Sequence, residues 1–429
     1  MIRGAGPTGP LYRVGMESAE GDNEAASWEP AVGARELCFE HIHDDLLEKQ
    51  LWETAFRGAC SFCPEGAPGH APEHALEGAR DRMTVVRVSQ LAEAVLAAIS
   101  DGDCDAPADE VVEWAHGDSH KVPPDPAQTV AEACAAVVDD DVLKAVKDYI
   151  DQKNWYGDPV PFVSRSSTMR DSWASFCRTV VERDLDLPGS DPSPGSDRDL
   201  LDSLMGRIAG IIRDARLIRT VEPGEKIWRG RMRADDVLPR YRATDIGSAP
   251  PERAAENRMS RAGVSLFYGS ADSDTAVVEI SARDDRPFAA VAAFEVTRPI
   301  RVVDLVDIPE PPSRFDREQA TRRDSLVFLR DFARDLSRPV FYDGRNHRDY
   351  RPTQYATDYF RESPGLRVEG IRFRSAHNGG VNYALFVDMT QCLASDAADG
   401  HGTLRLIEGS ERVEPRSQVA RRSAETRAV

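Results

Sequence analysis

Residues 184–198, DLDLPGSDPSPGSDR, constrain the fold of this chain more than any other stretch. Pro, Gly, Ser and Asp crowd together there, a composition that sustains neither a helix nor a strand period. A break of that kind inside 429 residues predicts separate domains on its two sides. The charge balance changes with it. Residues 1–200 hold 17 Lys and Arg against 38 Asp and Glu, a net charge of -21, whereas residues 201–429 hold 37 against 35, a net charge of +2. In that second half Lys226 is the only Lys; every other basic residue is Arg. Arg offers a planar fork of donors that suits phosphate and pyrophosphate oxygens. The bias is compatible with a nucleotide ligand.

An acidic chain with no basic run argues against a dedicated DNA or RNA binder. No apolar run approaches the ~20 residues that span a bilayer. The opening residues MIRGAGPTGPLYRVGME carry no apolar signal core. Seven Cys, few and odd in number, fit a reducing compartment. The expectation is a cytoplasmic protein that does not enter the membrane.

The first half reads as an aperiodic arm over residues 1–33, then a mainly helical domain over 34–183. His43 to Phe56 has a helical pattern and is bracketed by candidate metal ligands. Cys60-x-x-Cys63 has knuckle spacing, in which a tight turn aims two thiolates at one ion. Cys38-x-x-His41 supplies a partner pair, so Cys38, His41, Cys60 and Cys63 would close a Cys₃His structural zinc site. The alternative is a set of ordinary half-buried thiols. Residues 166–183 form an amphipathic helix with Met169, Trp173, Phe176 and Val180 on one face, which reads as core.

Past the 184–198 linker, short strands alternate with helices over 199–393, an α+β pattern. Predicted strands are 226–231, 264–268, 288–296, 301–305, 369–373 and 382–387. Predicted helices are 199–218, 272–282, 325–336 and 355–362. Residues 394–429 lose their apolar period and read as a flexible tail. One unit stands out, NRMSRAGVSLFYGSADSDTAVVEI over 257–280. It carries Arg258, a short aromatic strand ending in Tyr268, a polar turn with Ser270 and Asp272 as N-cap candidates, and a helix that delivers Glu279.

Residues 225–388 resemble the RES domain, named for its Arg, Glu and Ser. The likeness rests on Arg229 in IWRGR, Arg258 in NRMS, Tyr268 and Glu279 in LFYGSADSDTAVVE, Tyr355 and Gln354 in YRPTQYATDYFRE, Ser375 in GIRFRSAHNGG, and the Asn382-Tyr383 strand entry. Asn257 and Met259 depart from the family's Gly and aromatic. The N-terminal half resembles the HEPN/RES N-terminal domain, through Ser172, Trp173 and Phe176 and its CxxC. There Arg35 stands where that family's first knuckle has Cys.

The resemblance implies an ADP-ribosyltransferase-like fold and an enzyme that degrades NAD at the nicotinamide–ribose bond, with phosphate or water as acceptor. It also implies a toxin or defence effector held by an antitoxin or other regulatory protein. Glu279 would stabilise positive charge on the ribose, Arg229 and Arg258 would hold the pyrophosphate, and Tyr268 would pack on or bond near the nicotinamide. Ser375, with Arg258, would position the acceptor, and Asn382 would contact NAD. The structural alternatives are an exposed Glu279–Arg283 pair at i, i+4, a solvated Arg229, a core Tyr268 and a turn-capping Ser375. Other functional readings are ADP-ribosyl transfer to a protein, a HEPN-type RNase using Arg35 and His41, and an inactive binding module.

Overall fold

The computed structural model describes residues 31–63, 83–101, 133–135, 137–152, 165–182, 197–282, 284–338, 349–397 and 402–417. Residues 1–30 of the predicted 1–33 arm, most of the 184–198 linker and Arg283 lie outside them.

Among the described residues the N-terminal part is mainly helical and also carries a small sheet. Strands β1 (Glu36–Cys38), β2 (Phe56–Gly58) and β3 (Met83–Arg87) form an antiparallel sheet in the order β1-β3-β2. Helices α1 (Asp45–Trp52), α2 (Val88–Asp101) and α3 (Asp140–Gln152) accompany it. Asp44 caps α1 by accepting the N–H groups of Leu46 and Leu47. Leu37, Leu47, Leu91, Val95, Val146 and Tyr149 share one buried cluster. That cluster also takes in Phe315, from far along the chain, whose carbonyl accepts Gln50 Nε2–H at 3.1 Å.

Helix α4 (Arg165–Glu182) was expected to belong with this N-terminal unit, but it packs elsewhere. Its face of Met169, Trp173, Phe176 and Val180 joins a second core with α5 (Asp197–Asp214), α8 (Ala320–Ser337) and α9 (Arg351–Glu362). Trp173 meets Phe176 and Phe332, and its indole N–H donates to Asp335 of α8 at 3.2 Å. An aromatic stripe buries against whatever apolar face it meets, and linker position does not decide which.

The C-terminal part is built on one ten-stranded sheet. Its strands are β4 (Ile218–Val221), β5 (Lys226–Arg233), β6 (Phe267–Ser270), β7 (Phe288–Val296), β8 (Ile300–Asp304), β9 (Gly370–Arg374), β10 (Val381–Leu385), β11 (Cys392–Leu393), β12 (Leu404–Leu406) and β13 (Arg412–Pro415). The order is β11-β12-β7-β5-β6-β10-β9-β8-β4, with β13 beside β12 on the same edge of β7. Two remaining helices are α6 (Ala243–Ile246) and α7 (Ser273–Ser281). β7, FAAVAAFEV, is apolar at every position but Glu295, as a strand largely buried on both faces should be.

The sheet bends around a third cluster, in which Ile227, Phe267, Phe294, Val302 and Leu385 come from strands along its length. β5 and β6 pair at a single register position, Trp228 opposite Ser270. Helix α7 lies on β5 and β7, burying Ala276 and Val277 against Met232, Ala289 and Val291.

Residues 402–417 correct the expectation of a flexible tail from 394 onward. Leu404 and Leu406 are buried against β7, and Arg412–Pro415 extends the pairing. Segments this short carry too little alternation to be read as strands.

Candidate active site

The predicted strand–turn–helix over 257–280 exists and forms one wall of a cleft of about 230 Å³. Arg229, Arg258, Tyr268, Glu279 and Asn382 all line it, with Trp228, Arg374 and His377. Asp272 caps α7, its side chain accepting Thr275 N–H at 2.7 Å and the Thr275 hydroxyl at 2.8 Å. The cap is thus Asp272 and not Ser270, which is the last residue of β6.

Two glycines set how deep the cleft lies. A Cβ on Gly230 would stand 2.6 Å from Ile280 Cδ1, and one on Gly269 would stand 2.9 Å from the Trp228 carbonyl oxygen. Bare backbone at Gly230 lets α7 settle on the sheet, so that Glu279 reaches the cleft.

Glu279 Oε1 accepts two hydrogen bonds, from Ser375 Oγ at 2.6 Å and from Asn382 Nδ2 at 2.8 Å. These donors sit on either side of the β9–β10 hairpin. Its turn is held by Ser375 N–H on the Gly380 carbonyl and by Gly379 at φ 73°, a left-handed value that favours glycine. Both bonds fall on one oxygen and leave Oε2 for whatever enters the cleft. Glu279 is therefore built into the site by these two bonds.

Ser375 stands beside Glu279. It is buried, and its Oγ both donates to that carboxylate and accepts His377 N–H at 3.2 Å. Its neighbours Arg374 and Ala376 line the cleft.

Arg229 Nη1 donates to the Tyr268 carbonyl at 2.8 Å, and its guanidinium lies 5.0 Å from the Phe267 ring centroid. Burial, with Arg231 nearby, pulls its pKa down to about 10, which still leaves it charged at neutral pH. Arg258 is presented by a tight turn in which Asn257 and Ser260 bridge. Gln354 of α9 clamps that turn, donating from Nε2 to the carbonyls of Asn257 and Ser260 and to Glu256. Thr353 adds a bond to the Arg258 carbonyl, and Arg258 Nη1 donates to the Leu336 carbonyl at 2.8 Å. The Tyr268 hydroxyl meets Ser260 Oγ at 2.9 Å. Tyr355 stands apart from the cleft, its hydroxyl on Asp202 and its ring against Phe176.

Comparison with known families places a match over residues 227–407, to the family described as the RES domain. Residues 227–407 are a RES domain. The span contains every cleft residue named above. No curated protein matches the chain. One solved structure resembling it is the M. tuberculosis MbcT–MbcA toxin–antitoxin complex, at 16% identity and a TM-score of 0.26 over 52% of this chain and 97% of that one.

Outside the RES domain, Cys38, His41, Cys60 and Cys63 converge as their spacing predicts, with their ligand atoms all within 4.8 Å of one another. Cys38 Sγ is 3.5 Å from Cys63 Sγ, and His41 Nε2 is 3.1 Å from the same sulfur. Ligands of a tetrahedral zinc, with Zn–S near 2.3 Å, stand about 3.8 Å apart, so shifts of about 1 Å or less, some inward and some outward, separate this cluster from a zinc shell. Cys60 Sγ accepts the N–H groups of Cys38 and Phe62. Burial works to raise its pKa, yet these amide bonds prevail and bring it down to about 7.

Asp139 was not foreseen. Its Oδ2 meets His41 Nδ1 at 2.7 Å, which leaves Nε2 facing the thiols, as metal-ligating histidines usually require. Its Oδ1 takes His43 Nε2 at 2.7 Å, so His43 is a neighbour of the cluster and not a ligand. Arg35 lies over the Phe62 ring, 4.1 Å from its centroid, while His41 faces Cys63. Arg35 and His41 thus both contact residues of the knuckle. Among the described residues no helix is long and apolar enough to cross a membrane.

Proposed function

We propose that this protein cleaves the bond between nicotinamide and ribose in NAD, with phosphate or water as acceptor. The observation that carries the reading is Glu279, held by Ser375 and Asn382 in the lining of a cleft that also presents Arg229, Arg258 and Tyr268. As the C1′–N bond breaks, its electron pair leaves with nicotinamide and positive charge gathers on the ribose. A fixed carboxylate beside C1′ stabilises that charge, as in glycoside hydrolysis. Nicotinamide departs neutral, so no general acid is needed. The acceptor oxygen then forms the new bond to C1′. With water as acceptor a proton is released and ADP-ribose is the product; with phosphate it is ADP-ribose 1″-phosphate.

Arg229 and Arg258 supply fixed cations for the pyrophosphate. Tyr268 offers a ring for the nicotinamide face. A structural zinc at Cys38, His41, Cys60 and Cys63 would tie the N-terminal sheet together. Mass spectrometry of the products formed from NAD in the presence of phosphate and ¹⁸O-water tests the acceptor. Transfer of label to a protein instead would favour the ADP-ribosyltransferase reading. The toxin role follows from the family resemblance. Its test is whether induced expression depletes cellular NAD before growth stops.

A further inference from the structure

We propose that Ser270 is a positioning residue for the reaction. Its hydroxyl anchors the Asn382 carboxamide, and through that amide it holds the Glu279 carboxylate at the cleft. The inference rests on the NAD-cleaving reading for its kinetic part and on geometry for the rest.

The geometry follows by elimination. An ionised carboxylate has no hydrogen to donate. The atom of Asn382 that faces Glu279 Oε1 at 2.8 Å must therefore be the amide nitrogen. The carboxamide oxygen then points the opposite way, where Ser270 Oγ lies 2.7 Å from it. Ser270 must donate there. Rotating the amide by half a turn would set Oδ1 against the carboxylate, oxygen to oxygen. It would also leave the amide N–H groups facing Ser270. The acceptor-only Glu279 carboxylate sets that orientation, and the Ser270 hydroxyl, donating to Oδ1, holds the amide in it.

The strand register makes this contact. Asn382 of β10 and Ser270 of β6 are direct antiparallel partners, so their side chains rise from one face of the sheet. Tyr268, two residues earlier, shares that face and also lines the cleft. Ser270 is 2% exposed and Asn382 5%, so water has little room to replace a lost hydroxyl. Glu279 thus receives one donor fixed by a side chain and another, Ser375, fixed by the His377 N–H. Ser270 itself lines the cleft wall, and the role assigned to it is exerted through Asn382, as a positioning residue.

The test compares wild type, Ser270→Ala and Ser270→Thr in the full-length protein. Nicotinamide release is measured across NAD concentrations, and the Asn382 side-chain amide is followed by ¹⁵N NMR. Ser270→Ala is expected to lower kcat by about 10- to 100-fold, the cost of a misplaced catalytic group, with KM within about twofold of wild type because the arginine contacts remain. Ser270→Thr keeps the hydroxyl and is expected to restore kcat. In wild type the Asn382 amide protons should exchange slowly with water, and in Ser270→Ala that protection should be lost. Unchanged kcat in Ser270→Ala, equal loss in both variants, or freely exchanging Asn382 protons in wild type would each overturn the proposal. If Ser270→Ala does not fold, Ser270→Thr and the wild-type amide still decide it. If wild type releases no nicotinamide, the NAD reading fails, while the amide measurement still settles the Ser270 contact.

Discussion

Ile280 occupies the space that a side chain on Gly230 would need, with its Cδ1 2.6 Å from the position of a Cβ there. The Val291 side chain and the Ala290 carbonyl press on the same point from the sheet. Helix α7 and strand β5 therefore meet at a distance that only glycine permits, and Glu279, one residue before Ile280, takes its height from that contact. Gly230→Ala should lift α7 off the sheet. We expect a stability loss of about 1–3 kcal/mol from overpacking, and a kcat for nicotinamide release about tenfold lower from displacement of the carboxylate. Thermal melts and steady-state kinetics on one preparation check both.

The knuckle gives a prediction that does not depend on NAD. Purified protein should carry one zinc per chain by elemental analysis, and Cys60→Ser should lose it. Because thiolates and neutral imidazole bind metal, acidification below about pH 6 should release the ion as Cys and His take up protons. Protein that retains no zinc after purification without chelators would remove the structural-zinc reading.

Phe315 joins the two halves. It leaves the RES domain between β8 and α8 and is buried among Leu37, Leu47 and Val146 of the N-terminal core. Phe315→Ala should cost about 3–5 kcal/mol, the usual range for deleting a buried ring. Calorimetry should show the loss in the transition of the N-terminal unit.

Much of this fold is legible in the residues. β7 is read to its ends because a run bounded by Pro287 and Thr297 and apolar but for Glu295 has few other uses. α7 announces itself through Asp272 and the apolar spacing behind it. Cys60 and Cys63 are local enough for spacing to speak. What the residues do not disclose is long-range. Ser375 and Asn382 lie 96 and 103 positions from Glu279, and Asp139 lies 98 from His41. Nothing local marks those pairs. The family resemblance supplied Ser375, Glu279 and Asn382 as site residues, but not that Ser375 and Asn382 both grip the same oxygen. α4 was misplaced because the linker follows it, although its aromatic face complements α8. β12 and β13 were missed because three or four residues are too few to show a period.

The measurement that bears most directly on the central claim is nicotinamide release from NAD by wild type and by Glu279→Gln, with folding of both confirmed by thermal melts. The variant keeps the side-chain shape and removes the charge. Wild type should release nicotinamide, and Glu279→Gln should be slower by about 100- to 1,000-fold in kcat, the scale of losing one electrostatic stabiliser of a transition state. Equal rates in the two proteins, or no release by a folded wild type, would contradict the account.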